Sequence, residues 1–475
     1  MITAARNLGA LVLREGCSKG VYLVLSALIA RRYGKDLLGQ YVLAFLIPRL
    51  FFSLAEMGLN TLLVREVAKA RSALATYMVS LGFLKLLLGI ATLLGMMGFA
   101  RLFYASGALM GLLFLSGLSH LLIYYLYLFN AAFRAFEQMG YEARIMVWRD
   151  ILFLASSLLW LWRGEGLGEL FLFFLAANGI ALGYGAWLYR RVLRPSQGVL
   201  DFKFCRKLLG GAKEIWLISL ASMLYLTAGS LILSILEGEG AVGLYNAAFL
   251  FAEMFILGSV ILTTVFFPIF SREASDPLRL RETYAAVFKL SLFCFLPFQI
   301  SFFAFADKWL ELLFGPPFLE ALVGVRVLMA IGVFFVMGSL HAHCLIACRQ
   351  ERWVATWMAV LLLVNIALNL WWVPSFSFVG SCLAIVLCES VFFFACLTRI
   401  RRTVGALSLQ RFLGKLLVAG GVMASSTLLL PRSGFPLAVF IGFVLYLSTD
   451  LLTRGYLWQE RNAIRTLWVA YAARS

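Results

Sequence analysis

Two short stretches of this sequence match each other: GQYVLAF at residues 39–45 and GLYNAAF at residues 243–249. Glycine, tyrosine, alanine and phenylalanine recur at the same four positions, and the second stretch lies 204 residues after the first. Further matches, at an offset of 212, pair Gln138 with Gln350 and Gly168 with Gly380. Chance similarity is the alternative for so few positions. A true repeat of this size, in a chain rich in apolar runs, is typical of transporters built from two related halves.

The composition predicts that the chain lies in a membrane. Hydrophobic residues make up 62% of its 475 residues and charged residues only 14%, whereas about a quarter of a soluble domain is charged. The mean hydropathy is +0.91. Lipid offers backbone groups no hydrogen-bond partner, so uninterrupted helices are expected. At about 34 residues per span and connection, the length accommodates about fourteen of them.

Apolar runs of membrane-crossing length fall into three groups. Six precede residue 190, at 9–30, 40–64, 76–100, 107–133, 145–162 and 167–189. Six more follow, at 214–236, 241–270, 285–306, 320–347, 353–373 and 377–398. A final pair lies at 411–430 and 435–453. We therefore predict an all-α membrane protein with about fourteen transmembrane helices, in two six-helix lobes and a C-terminal pair.

The domain boundaries follow from these groups. We predict an N-lobe at 1–190, a basic cytoplasmic linker at 191–213, a C-lobe at 214–400, and the C-terminal helix pair with a cytoplasmic tail at 401–475. Because each lobe has an even number of spans, both have the same topology. A pseudo-two-fold axis along the membrane normal is expected to relate them.

The formal net charge is +17, but its distribution does not indicate a nucleic-acid binder, which carries its basic residues on one polar face. Most basic residues lie in short connections between apolar runs, as the positive-inside rule describes. This pattern predicts cytoplasmic N- and C-termini and places the acidic connection 237–240 outside. The eight cysteines are scattered without a CxxC pair, and we expect no cleaved signal peptide.

Several ordered motifs carry a resemblance to a known family. The second span ends in AEMGLNTLLVREVAK (55–69), the eighth begins VGLYNAAF (242–249), the tenth is preceded by LLFGPPFLEALVGVRVLMAIG (312–332), and the last two spans of the C-lobe contain NIALNLWWVPSFSFVGSCLAIVLCES (365–390). Together these resemble the polysaccharide-biosynthesis or O-antigen-type oligosaccharide flippases. That family is a branch of the multidrug/oligosaccharidyl-lipid/polysaccharide exporter superfamily, and the resemblance covers nearly the whole chain.

The resemblance implies a flippase, not an enzyme. It implies that a polyprenyl-diphosphate-linked oligosaccharide moves across the cytoplasmic (inner) membrane by alternating access, for cell-surface polysaccharide biosynthesis. Other polysaccharide-assembly membrane proteins are expected partners, and no cofactor is expected. A multidrug-and-toxin-type exporter is the alternative, and a membrane-embedded polysaccharide polymerase or ligase is a weaker one. The family's acidic residue in the seventh span is replaced here by Gly229, so an ion-coupling role for that acid does not carry over.

Basic residues inside the spans are the candidate substrate-binding residues. A charge in a span costs roughly 2.5–3.5 kcal/mol, so each one needs a partner, a wet cavity or a function. Arginine suits a diphosphate best, because it binds phosphate oxygens in a bidentate manner. We predict that the cavity is lined by five cations, namely Arg14, Arg49, Lys19, Lys85 and Arg326.

Each candidate has a structural alternative. Arg14 has Asp150 as a possible ion-pair partner, and Arg49 lies beside the helix-bending Pro48. Lys19 lies four residues after Glu15, which places both on one helical face where they can pair. Arg326 near the outer end of its span suits an interfacial role, and Lys85 lies near mid-span.

Acidic and histidine residues complete the candidate list. Glu253 and Glu389 are candidates for coupling to H⁺ or Na⁺, with ion pairing to buried arginines as the alternative. His341 and His343 lie two residues apart, so they do not share a helical face, and we expect them at the membrane interface rather than on a metal. No catalytic constellation is present at plausible spacing.

Overall fold

The computed structural model describes residues 2–104, 107–163, 166–194, 198–200, 205, 213–405, 410–429 and 434–453. Side chains are described from residue 16 onward within those ranges, except at 213–220, 222 and 428. The described residues are almost entirely helical and contain no β-strand. The chain divides into two compact units, Met1–Gly243 and Leu244–Ser475.

The first unit contains seven helices. They are α1 Ile2–Glu56, α2 Leu59–Lys69, α3 Leu74–Phe103, α4 Gly107–Ala135, α5 Met139–Arg163, α6 Leu167–Leu188 and α7 Lys213–Leu236. A 3₁₀ turn at Arg71–Ala73 precedes α3, and a π-helical turn at Tyr189–Leu193 extends α6. The predicted domain boundary lies at 191–213, whereas the compact unit extends through α7, because α7 packs against α1.

The second unit contains the remaining helices, the first of which begins within the first unit. They are α8 Glu239–Glu273, α9 Pro277–Ala304, α10 Ala306–Leu313, α11 Leu322–Met329, α12 Gly332–Ala347, α13 Glu351–Thr403, α14 Gln410–Leu429 and α15 Phe435–Leu452. A 3₁₀ segment at Pro316–Ala321 precedes α11.

Helix α1 is a hairpin of two helices joined at Gly34. This residue has φ 81° and ψ −171°, a region of backbone space that is essentially reserved for glycine. The rings of Tyr22 and Tyr41 stack with centroids 6.0 Å apart. Nineteen residues of continuous helix would separate them by about 28 Å. The chain therefore reverses at Gly34, and the two arms of α1 correspond to the first two predicted spans.

Helix α13 reverses in the same way at Ser377, whose φ is 48° and ψ −136°. The hydroxyl of Ser381 donates to Asn369 Oδ1 at 2.7 Å, although twelve residues of helix would span about 18 Å. At the far end of the hairpin, Arg399 Nε donates to Gln350 Oε1 at 2.6 Å. Its arms correspond to the predicted spans 353–373 and 377–398.

Nine described helices are long and apolar enough to cross a membrane, or ten if the bent pair Pro316–Met329 and Gly332–Ala347, at 42° to each other, counts as one span. Two of the nine are the hairpins α1 and α13. Helices α7 and α14 occupy the predicted seventh and thirteenth spans. The prediction of an all-α, multi-pass membrane protein is confirmed.

Helix α4 is the central helix of the first unit, packing against α1, α3, α5 and α6. The short amphipathic α2 buries Leu59, Leu63 and Val67 in the same core as Ala131 and Phe133 of α4. On α3 the outward positions are apolar, with Leu86, Leu87, Ile90 and Leu94 all exposed. Apolar exposure along one helix face is expected where that face meets lipid.

In the second unit, α13 packs against α12, and the C-terminal pair α14 and α15 packs against α9. Tyr446 anchors this pair. Its hydroxyl donates to the Phe293 carbonyl at 2.9 Å, and the two rings lie 5.3 Å apart.

A candidate anion-binding site in the first unit

Arg149 and Asp150, consecutive residues of α5, form a nearly buried ion pair. Arg149 donates from Nε at 2.9 Å and from Nη2 at 2.6 Å to Asp150 Oδ1. The side chains are 13% and 7% exposed. Ser18, from the first arm of α1, hydrogen-bonds to the other carboxylate oxygen. Asp150 therefore fixes the guanidinium and joins α5 to α1.

Arg49 lies on the second arm of α1 and is the single exposed residue between Leu37 and Glu56, a stretch that the structure describes completely. Ser53 and Glu56 follow it at four and seven residues, hence on the same helical face. This outward face is polar, in contrast to the apolar outward face of α3. A polar face suits a hydrated surface better than lipid, because a charge facing acyl chains costs roughly 2.5–3.5 kcal/mol.

His120 of α4 connects the two arginines, because both Arg49 and Arg149 act on its imidazole electrostatically. The ring is buried, and Nδ1 donates to the Ser116 carbonyl at 2.8 Å. Phenylalanines of α1 and α6 surround it, with centroid distances of 6.2 Å to Phe45, 6.4 Å to Phe52 and 6.0 Å to Phe174. Cations from α1 and α5 thus converge beside an aromatic wall, an arrangement that can hold an anion attached to an apolar or sugar group.

Lys85 lies apart from any exposed surface in this conformation. Its side chain is fully buried, Nζ donates to the Tyr124 carbonyl at 2.9 Å, and the ammonium lies 4.0 Å from the centroid of the Tyr124 ring. The Tyr124 hydroxyl in turn donates to the Ala55 carbonyl at 2.8 Å. Glu56 supplies an opposite charge to Lys85. These contacts join α3, α4 and the end of α1.

Glu56 also closes the start of α2. Its carboxylate accepts hydrogen bonds from the backbone N–H groups of Gly58 and Asn60, both at 2.8 Å. A carboxylate at this position satisfies amides that the first helical turn leaves without partners and complements the helix dipole. Glu56 is thus a structural group at the base of the polar face that carries Arg49.

The remaining predicted residues of the first unit lie near the hairpin's first arm. Lys19 is half-buried and follows Ser18 directly. The side chains of Arg14 and of Glu15, the predicted partner of Lys19, lie outside the described residues. Both roles of Arg14 and Lys19 therefore stay predictions.

The other predicted residues belong to the second unit. Arg326 is exposed on α11 and Glu253 is half-buried on α8. Glu389 on α13 is 9% exposed and faces α12, where its Oε2 lies 3.9 Å from the position a Cβ at Gly338 would occupy. Their assignments to substrate binding and ion coupling stay predictions.

His341 does not lie at an interface, so that expectation was wrong. The ring is fully buried, and Tyr284, Phe288 and Phe393 lie 6.0, 5.8 and 5.2 Å from it. Aromatic packing from α9 and α13 is the reason. Among the described residues, no group of His, Cys, Asp or Glu side chains is arranged to hold a metal ion.

Sequence reasoning did not select Arg149 or His120 for the site. Adjacent opposite charges inside an apolar run, as in Arg149 and Asp150, were the available signal for one of them. The sequence gave no signal that His120 would lie beside Arg49, since the two belong to different helices and are brought together only by packing.

The fold is that of transporters of the same superfamily. The structure resembles the lipid II flippase MurJ in an inward closed conformation, with a TM-score of 0.76 and 15% identity over 93% of this chain and 98% of that one. It also resembles an inward-facing MATE family multidrug resistance transporter, with a TM-score of 0.65 and 15% identity over 83% and 98%. A third likeness is to a superfamily transporter from Pyrococcus furiosus, with a TM-score of 0.60 and 14% identity over 84% and 96%.

The chain belongs to the polysaccharide biosynthesis protein family, whose sequence profile matches residues 4–274. No curated protein sequence matches it. Family membership confirms the resemblance found in the sequence motifs, and the solved structures confirm the two-lobed transporter fold.

Proposed function

We propose that the protein is a flippase that carries polyprenyl-diphosphate-linked oligosaccharides from the cytoplasmic to the outer leaflet of the cytoplasmic membrane. The observation that carries this proposal is the convergence of Arg49 and Arg149 on His120, on a helix face that is polar rather than apolar. Membership of the polysaccharide biosynthesis family supports the same substrate class.

The chemistry of the substrate matches this cluster. A diphosphate is excluded from hydrocarbon, so it needs cations on a hydrated surface while the polyprenyl chain stays in lipid. Arg49 is exposed and available to bind phosphate oxygens, and arginine does so with two parallel N–H donors. Arg149 is held by Asp150 and adds positive charge next to it. Phe45 and its aromatic neighbours offer flat apolar surfaces to a sugar ring.

The remaining features of the proposal come from the sequence. Both termini face the cytoplasm, and the protein transports its substrate without chemical conversion. Glu253 and Glu389 are the candidates for coupling to H⁺ or Na⁺, and Arg14, Lys19 and Arg326 remain candidate cavity cations. Other membrane proteins of polysaccharide assembly are the proposed partners.

The test uses the purified full-length protein in phospholipid vesicles with a polyprenyl-diphosphate disaccharide that carries a fluorophore on the sugar. An impermeant quencher added outside extinguishes only the outer-leaflet probe. We expect the protein to make the inner-leaflet probe accessible, and the variants Arg49→Ala and Arg149→Ala to lose most of this activity. Arg101→Ala is the matched control, since Arg101 is an exposed arginine at the end of α3. Transport by neither protein nor control, at any coupling gradient, contradicts the proposal.

Export of organic cations is the second candidate function, because MATE transporters share the fold. The convergence of two arginines disfavours it, since like charges repel an organic cation. Efflux of a lipophilic cation from the same vesicles, with no movement of the diphosphate probe, would support the exporter instead.

A further inference from the structure

The two matching sequence stretches contact each other through their glycines. A methyl group on Gly39 would overlap the backbone carbonyl of Glu239, and one on Gly243 would overlap the backbone carbonyl of Lys35. The methyl on Gly243 would also lie 3.3 Å from the backbone nitrogen of Gly39. Glycine is required at both positions because backbone meets backbone there.

These contacts are reciprocal under the repeat. The offset of 204 that relates Gly39 to Gly243 also relates Lys35 to Glu239. Each glycine therefore faces the residue equivalent to the one its counterpart faces, which is the signature of a contact across a two-fold axis. The pseudo-symmetry axis predicted from the repeat passes between Gly39 and Gly243. This geometry argues against chance as the source of the sequence match.

Polar contacts surround the glycine crossing. Gln40 Nε2 donates to Glu239 Oε2 at 2.6 Å, and the hydroxyls of Tyr104 and Ser234 lie 2.7 Å apart. Beside them is a cleft of about 380 Å³, lined by Asp36, Phe103, Tyr104, Ser234 and residues 237–240. The turn of the α1 hairpin is thus joined to the turn between α7 and α8 by backbone contact with a rim of hydrogen bonds.

We propose that this crossing is the outer gate of the transport path, closed in this conformation. The proposal rests on the proposed function and on the predicted orientation, which places the connection 237–240 outside. A contact on the pseudo-symmetry axis closes a path that runs along that axis. Two glycine backbones separate without the repacking of interdigitated side chains, and their rim of exposed polar groups can be hydrated once it opens.

Disulfide trapping tests whether the contact must open. In a background with the eight native cysteines replaced, cysteines are placed at the two hydrogen-bonded residues as Gln40→Cys with Glu239→Cys. We expect the pair to crosslink on oxidation and transport of the fluorescent diphosphate probe to fall to background, with recovery on reduction. The control pair is Gln350→Cys with Thr403→Cys, which are hydrogen-bonded at 2.8 Å at the open end of the α13 hairpin and whose crosslink should leave transport unchanged.

Glycine substitution tests the same gate without any transport assay. Gly39→Ala and Gly243→Ala push a methyl against backbone, so the closed state is overpacked and the open state gains population by about tenfold. The readout is labelling by an impermeant maleimide of Ser234→Cys, a position that is 6% exposed when the gate is closed. Gly95→Ala is the control, because a methyl there meets no atom within 4 Å.

The outcomes separate the gate from the proposed function. Faster labelling with no lipid movement by any variant supports the gate and removes the flippase assignment. Unchanged labelling in both glycine variants, failure of the Gln40 and Glu239 cysteines to crosslink, or undiminished transport by the crosslinked protein overturns the gate.

Discussion

The guanidinium of Arg149 lies 2.6 Å from the carboxylate of its sequence neighbour Asp150, and Ser18 of a different helix hydrogen-bonds to the same carboxylate. Two adjacent residues thus neutralise each other and fasten α5 to α1. The pair places one charged donor set next to His120 and Arg49 without leaving a lone charge inside the unit.

Breaking this pair should destabilise the protein. Arg149→Ala leaves the nearly buried Asp150 carboxylate without its cation, which typically costs about 3–5 kcal/mol. The double variant Arg149→Met with Asp150→Asn removes both charges and should recover most of that loss. Thermal unfolding of the detergent-purified protein, followed by tryptophan fluorescence, measures both. Additive losses in the double variant would show that the two side chains do not act as a pair.

Removing the exposed Arg49 should weaken binding without affecting stability. Arg49→Ala eliminates charged hydrogen bonds worth about 1.5–3 kcal/mol each, so the affinity for undecaprenyl diphosphate should fall by at least about tenfold. Arg49→Lys should keep part of it, because the charge remains but bidentate geometry is lost. Equilibrium binding to the purified protein is the measurement, and an unchanged melting temperature is the internal control.

The same reasoning predicts a cellular phenotype. Arg49→Ala and Arg14→Ala should abolish surface polysaccharide while the protein level stays intact, since each change removes a proposed cavity cation. Glycan staining with a parallel immunoblot tests this. Normal surface glycan in both variants would remove these two residues from the substrate site.

Lys85 should prove to be a positioning residue. Because its ammonium is fully buried against Tyr124, Lys85→Met should keep the packing and change stability by no more than about 1.5 kcal/mol. Lys85→Ala should cost about 2–4 kcal/mol through the cavity it leaves. We expect Lys85→Met to bind undecaprenyl diphosphate with near-normal affinity. A loss as large as that of Arg49→Ala would place the ammonium on the substrate in another conformation.

The two hairpin turns should respond in opposite directions to substitution. Gly34 has φ 81° and ψ −171°, so Gly34→Ala should lose about 1–3 kcal/mol. Ser377 has φ 48°, so Ser377→Gly should gain up to about 1 kcal/mol by relieving backbone strain. Thermal unfolding compares both with Gly95→Ala, a helical glycine with open space around it. Equal shifts in all three variants would contradict the assigned turns.

Much of the fold was readable from the sequence. The apolar runs predicted fourteen spans, and the gap between the first two contains Gly34, where the chain reverses. Hydropathy succeeds here because lipid imposes helices of a nearly fixed length on any run that enters it. The sequence also singled out Arg49, because a cation within an apolar run is costly unless it has a role.

Partners and exposure were decided only by the tertiary structure. Lys85 and Arg49 are both basic residues within apolar runs, yet one is sealed under Tyr124 and the other is exposed. Neither the approach of Arg149 to His120 nor the meeting of Gly39 with Gly243 is encoded in local sequence. Local sequence determines which segments become helices and where they turn, because that depends on solvation and backbone conformation of neighbouring residues. Which faces of those helices meet depends on packing among segments far apart in the chain, and that packing decides which charges are paired and which are exposed to a substrate.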